Sequence, residues 1–169
     1  MQFRDLKAQY LALKPQIDSA VQAVINEGAF ILGKPVAELE KMLAEYAHRR
    51  HCITCASGTD ALQLSLMAMG VGSGDAVFTS DFTYFASSAA ASILGATVVF
   101  VDIDSKTFNI SPQALELAIQ KVISEGRLTP KVIIPVDLFG LPADYSKIIP
   151  TAEKYGLEVL EDAAQGFGS

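Results

Sequence analysis

The sequence predicts an α/β protein with a mostly parallel central sheet covered by helices on both faces, a three-layer α/β/α architecture. Two patterns carry that expectation. Short apolar runs at Ala76–Thr79, Thr97–Val101, Lys131–Val136 and Leu157–Leu160 alternate with longer stretches of helical periodicity. Strands buried on both faces read in this way, and their alternation with helices implies parallel pairing. Glycines at 95, 126 and 156 end the helical stretches just before the next apolar run. With 169 residues, half of them apolar, the chain is long enough for one compact unit with a substantial core.

Taken in order, Asp5–Tyr10 is polar and mixed, after which Ile17, Ala20, Val21, Val24 and Ile25 recur at helical spacing. They predict a surface helix that covers a core and stops at Asn26-Glu27-Gly28. Ala29–Pro35 is apolar but bracketed by glycines and a proline, either a loop that meets a partner or ligand or a tucked-in connection. Pro35 suits the first turn of a second helix, whose Val36, Leu39, Leu43, Tyr46 and Ala47 form one stripe. His48-Arg49-Arg50 then falls where cations favour a helix C-terminus. No second basic patch supports a nucleic-acid reading of that cluster.

Ile53-Thr54 predicts a strand that runs through Cys55-Ala56-Ser57-Gly58-Thr59 into a helix over Thr59–Met69. This helix is apolar nearly all round, so it should be deeply buried. The junction before it aims unpaired backbone N–H groups at one point, which suits an anion, most often a phosphate. Gly70-Val71-Gly72-Ser73-Gly74-Asp75 has the spacing of a dinucleotide fingerprint but follows a helix and precedes a strand. That order is reversed for the fingerprint, and the stretch reads as a turn.

After the strand at 76–79 come Phe82, Tyr84 and Phe85, three aromatics at a strand's C-terminal end, and a small-residue helix over Ala86–Leu94. In an open α/β sheet ligands bind at that edge; ordinary core packing would account for one or two of the three. Ser111-Pro112 caps and begins the next helix, with Leu115, Ala118, Ile119 and Val122 on one side. Asp144 caps a further helix whose Ile148, Ile149, Ala152 and Tyr155 face inward.

Composition narrows the function. Net charge is −6, with 13 basic and 19 acidic residues, which disfavours nucleic acid and anionic membranes as partners and suits a small-molecule ligand. No segment has the length of a signal-peptide core or a membrane span, so the expected compartment is the cytoplasm. Cys52 and Cys55, with His48 and His51 just before them, invite a zinc or thiol-redox reading. Extended backbone at Ile53-Thr54 would point the two cysteines to opposite faces, and no second ligand pair exists elsewhere. Two reduced, partly buried thiols are the plainer expectation, with no metal.

Asp102, Asp104, Asp137, Glu161 and Asp162 all lie near strand C-terminal ends. Most such acids are caps or solvated turns. Asp162 stands apart because Ala163-Ala164 leave room for a flat ligand and Gln165 adds an amide three positions on. A phosphate turn, an aromatic face and an acid–amide pair at one sheet edge describe a site for a planar phosphorylated heterocycle. Pyridoxal phosphate fits, since a carboxylate near its ring nitrogen keeps it protonated and able to accept electrons.

Tyr10 through Gly33 with its Phe-Ile-Leu-Gly loop, Ala56-Ser57-Gly58-Thr59-Asp60-Ala61-Leu62, Phe82-Thr83-Tyr84, Val101-Asp102-Ile103-Asp104 and Glu161-Asp162-Ala163-Ala164-Gln165 together resemble the DegT-type (DegT/DnrJ/EryC/StrS) sugar aminotransferases. These are fold-type I pyridoxal phosphate enzymes. The resemblance runs through the whole chain in the family's order, and it looks closest to members that aminate nucleotide-linked keto sugars for surface polysaccharides. It implies that residues 1–169 hold an N-terminal segment and most of the first half of the cofactor-binding large domain, without the small C-terminal domain. It also implies that Ser57, Gly58 and Thr59 hold the cofactor phosphate, Tyr84 stacks on the ring, Asp162 pairs with its nitrogen and Gln165 lies near its hydroxyl oxygen. The implied amino donor is glutamate and the implied assembly a homodimer, with the Phe30-Ile31-Leu32 loop near the shared site.

Two departures stand out. Ser80 occupies a position where the family commonly has proline, and the family's catalytic lysine falls downstream of Ser169. No catalytic residue is therefore assigned within 1–169, and the chain alone is expected to be inactive. A histidine at the lysine position would instead favour the family's sugar dehydratases. A non-catalytic phospholigand-binding module is a reading from another class, and a redox protein using Cys52 and Cys55 is a third.

Overall fold

The computed structural model describes residues 5–169. They form two compact units, divided between Thr54 and Cys55, where length alone suggested one. The division follows from the first two helices, α1 (Leu6–Glu27) and α2 (Lys34–Tyr46), neither of which has a buried residue. The helix expected to cover a core thus has no buried face: Ile17, Val21 and Ile25 are all exposed.

In this first unit α1 starts earlier than its apolar periodicity. The Asp5 side chain accepts from Ala8 N at 2.9 Å, and Lys14 donates to the Tyr10 hydroxyl at 3.0 Å while Tyr10 donates to Asp18 at 2.8 Å. Polar contacts one and two turns apart extend the helix through the mixed segment. Gly28 closes it in the left-handed conformation. Phe30, Ile31 and Leu32 are exposed, and Pro35 occupies the first turn of α2 as expected. The strand expected at Ile53-Thr54 does not form. Glu40 of α2 instead accepts from both the Thr54 backbone N–H and its hydroxyl, each at 2.8 Å, and these bonds hold the Glu40 carboxyl below its ordinary pKa.

The second unit contains α3 (Gly58–Ala68), β1 (Asp75–Ser80), α4 (Ala86–Ile93), β2 (Thr97–Val101), α5 (Pro112–Glu125), β3 (Thr129–Ile134), α6 (Tyr145–Tyr155) and β4 (Glu158–Val159). All strand pairs are parallel, in the order β2-β1-β3-β4. Successive strand side chains point to opposite faces, and here they divide the core into two. Phe78 and Ile133 pack with Leu115, Ile119, Ile148 and Ala152 of α5 and α6. Val77, Val132 and Ile134 pack with Leu62, Leu66, Ala86 and Ala90 of α3 and α4. The three-layer α/β/α arrangement is thereby established. α3 is less enclosed than its composition suggests, because Leu64 and Met67 lie on its exposed side.

From β1 the chain first moves outward to β2 and then returns across β1 to β3 and β4. The strand order therefore reverses between β1 and β3, and their carboxyl ends open a crevice, the place where doubly wound sheets bind ligands. Beyond β4 a parallel bridge between Val136 and Asp162 carries the pairing into that edge.

Candidate active site

At the crevice, Gly58, Thr59, Tyr84, Asp162 and Gln165 line one cavity of about 230 Å³. Five of the six residues singled out in the sequence, drawn from segments far apart in the chain, thus converge. Leu62, Ala86, Val136, Leu138 and Ala164 supply apolar walls, and Thr83 adds a hydroxyl. Neither lysine nor arginine is among the lining residues.

Ser57, the sixth, is the N-cap of α3 and stands outside the lining. Its hydroxyl accepts from Asp60 N at 3.1 Å and donates to Asp60 Oδ2 at 2.8 Å. This reciprocal cap ties the Asp60 carboxyl, two residues beyond Gly58, to the cap residue. It also leaves the Gly58 and Thr59 N–H groups, which have no carbonyl to reach within the helix, as donors where the helix dipole is positive. A Cβ on Gly58 would meet no atom within 4 Å, so the space in front of the turn is open to a ligand.

At the other end stands Asp162, 8% exposed. Its backbone N–H donates to Pro135 O at 2.9 Å and its carbonyl accepts from Asp137 N at 3.1 Å. Its Oδ1 accepts from Ala164 N at 3.2 Å and Oδ2 from the Ser87 hydroxyl at 2.7 Å. Ser87 is itself buried in α4, and Thr83 Oγ1 lies 3.3 Å from its oxygen. Sequence reasoning missed both hydroxyls. Their spacing of four residues, from the bend before α4 into its first turn, was visible, but nothing local announced a partner 75 residues away.

Gln165 Oε1 accepts from Phe139 N at 2.7 Å, which leaves its Nε2 as a hydrogen donor, the group needed beside a phenolate oxygen. Phe139 sits in a short 3₁₀ turn, Leu138–Gly140, at φ 58°, and its ring is exposed. It lines a second cavity of about 340 Å³ together with Asp81 and Phe82, and this cavity shares Thr83, Tyr84, Leu138 and Gln165 with the first. None of the aromatics Phe82, Tyr84 and Phe85 is buried; Phe82 packs on Phe108 with ring centroids 5.8 Å apart.

The neighbouring acid, Asp137, is buried on the opposite side of the sheet edge. Its Oδ1 accepts from Ala143 N at 2.9 Å and from the Tyr145 hydroxyl at 2.8 Å, while Oδ2 has no partner. Burial first, and then this carboxylate, push the Tyr145 phenol well above its usual pKa. Asp102 and Asp104 hold backbone N–H groups of their own turn. Cys52 is half-buried and Cys55 exposed, both free thiols, and among the described residues no group of three or more His, Cys, Asp or Glu could hold a metal ion. No helix among them is long and apolar enough to cross a membrane.

The donor set fits pyridoxal phosphate from end to end: backbone N–H groups at a helix N-terminus for a phosphate, apolar walls and Tyr84 for a ring, a buried carboxylate for a ring nitrogen and an amide donor for a ring oxygen.

Known proteins resemble this chain in sequence and fold. The chain is 48% identical, over its whole length, to the UDP-2-acetamido-2-deoxy-3-oxo-D-glucuronate aminotransferase of Pseudomonas aeruginosa, and spans 45% of that relative. A DegT DnrJ EryC1 StrS aminotransferase from Brucella abortus superposes with a TM-score of 0.96 at 50% identity, over 98% of this chain and 44% of that one. NtdA from Bacillus subtilis, solved with bound cofactor PMP, superposes with a TM-score of 0.83 at 36% identity, over 90% and 33% of the two chains. The DegT/DnrJ/EryC1/StrS aminotransferase family model matches residues 12–169, and the chain belongs to that family.

Proposed function

We propose that residues 1–169 form the cofactor-binding part of a pyridoxal phosphate-dependent aminotransferase that moves an amino group from glutamate to a keto group of a nucleotide-linked sugar, in the cytoplasm and for surface glycan synthesis. The observation that carries this reading is the single cavity in which the Gly58-Thr59 turn, Tyr84, Asp162 and Gln165 meet. The sugar class is supported by the relative from P. aeruginosa, whose own substrate is a UDP-linked keto sugar.

When bound, pyridoxal phosphate supplies an electron sink for the carbon that gains or loses the amino group. Gly58 and Thr59 anchor the phosphate, Tyr84 covers a ring face, and Gln165 donates to the ring oxygen. Asp162 holds a proton on the ring nitrogen, and its burial keeps water from competing for that contact. Over a full cycle one water supplies the new keto oxygen of 2-oxoglutarate as glutamate gives up its amino group, and the sugar's keto oxygen leaves as one water when that group is accepted. A lysine downstream of Ser169 is the group we assign to covalent attachment and proton transfer. The cavity beside Asp81, Phe82 and Phe139 gives the sugar a place next to the cofactor. A homodimer is the proposed assembly, with the exposed Phe30-Ile31-Leu32 loop at the contact.

The test uses the complete reading frame. The purified protein is loaded with pyridoxal phosphate, exposed to glutamate, and assayed for 2-oxoglutarate and for the spectral change of the bound cofactor; a UDP-linked keto sugar is then added and the amino sugar sought by mass spectrometry. Cofactor binding without glutamate consumption would overturn the aminotransferase reading in favour of the dehydratase or the non-catalytic module. Absence of cofactor binding would overturn the site.

A further inference from the structure

We propose that Ser87 is a positioning residue for Asp162, and that Thr83, Ser87 and Asp162 form a hydroxyl relay that fixes which way the carboxylate faces the cofactor ring nitrogen. This rests on the pyridoxal phosphate reading above.

The geometry is complete at every step. Ser87 is 1% exposed, so its hydroxyl has no solvent to bond to, and it donates to Asp162 Oδ2 at 2.7 Å. A serine has one hydroxyl hydrogen. With that hydrogen committed to Asp162, the 3.3 Å contact between Thr83 and Ser87 has only one workable polarity, with Thr83 donating. Ala164 N–H takes the other carboxylate oxygen at 3.2 Å. Asp162 is therefore held by one donor on each oxygen and by its backbone bonds to Pro135 and Asp137.

The two carboxylate donors come from different elements. Ala164 moves with Asp162, two residues away, whereas Ser87 belongs to α4, packed in the core shared by Ala86, Ala90 and Ala91. The Ser87 bond thus references the carboxylate to a rigid helix. Removing it frees the χ2 rotation of Asp162 and leaves Oδ2 buried without its donor, while alanine itself is the residue most at home in a helix. Because every relay member except Asp162 is a neutral hydroxyl, the relay fixes orientation without adding charge. Thr83 lines both cavities, so the relay begins where the substrate is expected to sit and ends at the ring nitrogen.

A purely structural serine and a positioning serine differ in one measurable respect. If Ser87 acts through the contact between Asp162 and the ring nitrogen, its removal must cost nothing when that nitrogen is absent. The complete protein and its Ser87→Ala, Ser87→Thr and Thr83→Val variants are stripped of cofactor and titrated with pyridoxal phosphate and with its 1-deaza analogue, in which carbon replaces the ring nitrogen. Ser87→Ala is expected to weaken pyridoxal phosphate binding roughly tenfold and to leave deaza-analogue binding unchanged. Ser87→Thr should restore affinity to within roughly twofold, and Thr83→Val should lose roughly threefold, again with the natural cofactor only. Equal losses with both cofactors, or no loss with either, would overturn the relay. Should Ser87→Ala not fold, the Thr83→Val pair of titrations decides the matter in the same way. Failure of the unaltered protein to bind either cofactor would remove the pyridoxal phosphate reading itself and the relay with it.

Discussion

Asp137 and Asp162 stand side by side at the ends of adjacent strands, joined by a backbone hydrogen bond of 3.1 Å, and both are buried. Their surroundings nevertheless assign them opposite duties. The Asp137 carboxylate turns to the face of α5 and α6, where it holds Ala143 N–H and the Tyr145 hydroxyl and so fixes the turn that leads into α6. Asp162 faces the side of α3 and α4, where the crevice opens, and takes its donors from Ser87 and Ala164. Position at a strand end and burial are shared; the face of the sheet is what differs. On the proposed function, a buried acid at the switch point serves the site only on the side where helix N-terminus and cavity meet it.

The sharpest way to break this contrast is Asp162→Ala in the complete protein. Loss of the carboxylate partner of the ring nitrogen should lower transamination by the folded protein by roughly two to four orders of magnitude, far beyond what the destabilisation from the stranded Ser87 hydroxyl and Ala164 N–H accounts for; a variant as active as the parent would merge the two acids into one structural class. Asp137→Ala should cost stability alone. The buried Ala143 N–H and the half-buried Tyr145 hydroxyl lose their acceptor, so urea denaturation should report a loss of about 2–4 kcal/mol, while cofactor affinity of the folded fraction stays put.

Gly58→Val probes the opposite end of the cavity. It should weaken pyridoxal phosphate roughly 10- to 100-fold, as expected for losing charge-assisted bonds, and leave the melting curve alone because no protein atom crowds that position.

Smaller still is Tyr145→Phe, at about 1 kcal/mol of stability near neutral pH. The Tyr145 phenol is pushed above its ordinary pKa in the folded protein, so the native state holds this proton after the unfolded chain has released it. That stabilisation is fully present below pH about 10 and is lost as pH rises beyond it. Urea titrations above pH about 10 should show a decline that Tyr145→Phe makes shallower, the raised pKa of Lys14, Lys147 and Lys154 accounting for the rest. The smallest effect expected is from Cys52→Ala with Cys55→Ala, which should leave transamination unchanged; a loss there would revive thiol chemistry.

Much of the second unit was legible because strand burial and helix capping are local. Gly126 and Gly156 end their helices in the left-handed conformation, Ser111 caps α5 through Ala114 N, and the preference for Asp162 over Asp137 came from the small residues and the amide that follow it. What escaped was set by distant partners. Ile53-Thr54 has the β-branched character of a strand, yet a helical glutamate captured its hydrogen bonds. Ser87 looked like one more small residue in an alanine-rich helix, and Phe139 gave no sign that Gln165 would hold its backbone. Composition made α3 look enclosed, but only its Leu62 and Leu66 side reaches the sheet.

The place of β1 in the middle of the sheet also governs when the cavity can come into being. The β1–β2 pairing closes a short excursion through α4, whereas β1–β3 brings Val77 to Val132 and must wait for a longer loop to close. β4 pairs with β3 alone, and Asp162 follows β4. Loop lengths therefore predict that the helix bearing Ser87 docks early and that the acid it positions docks last. A cofactor that needs both ends of the cavity would bind only chains that had completed the whole sheet, so its capture during refolding would report the final step of that order.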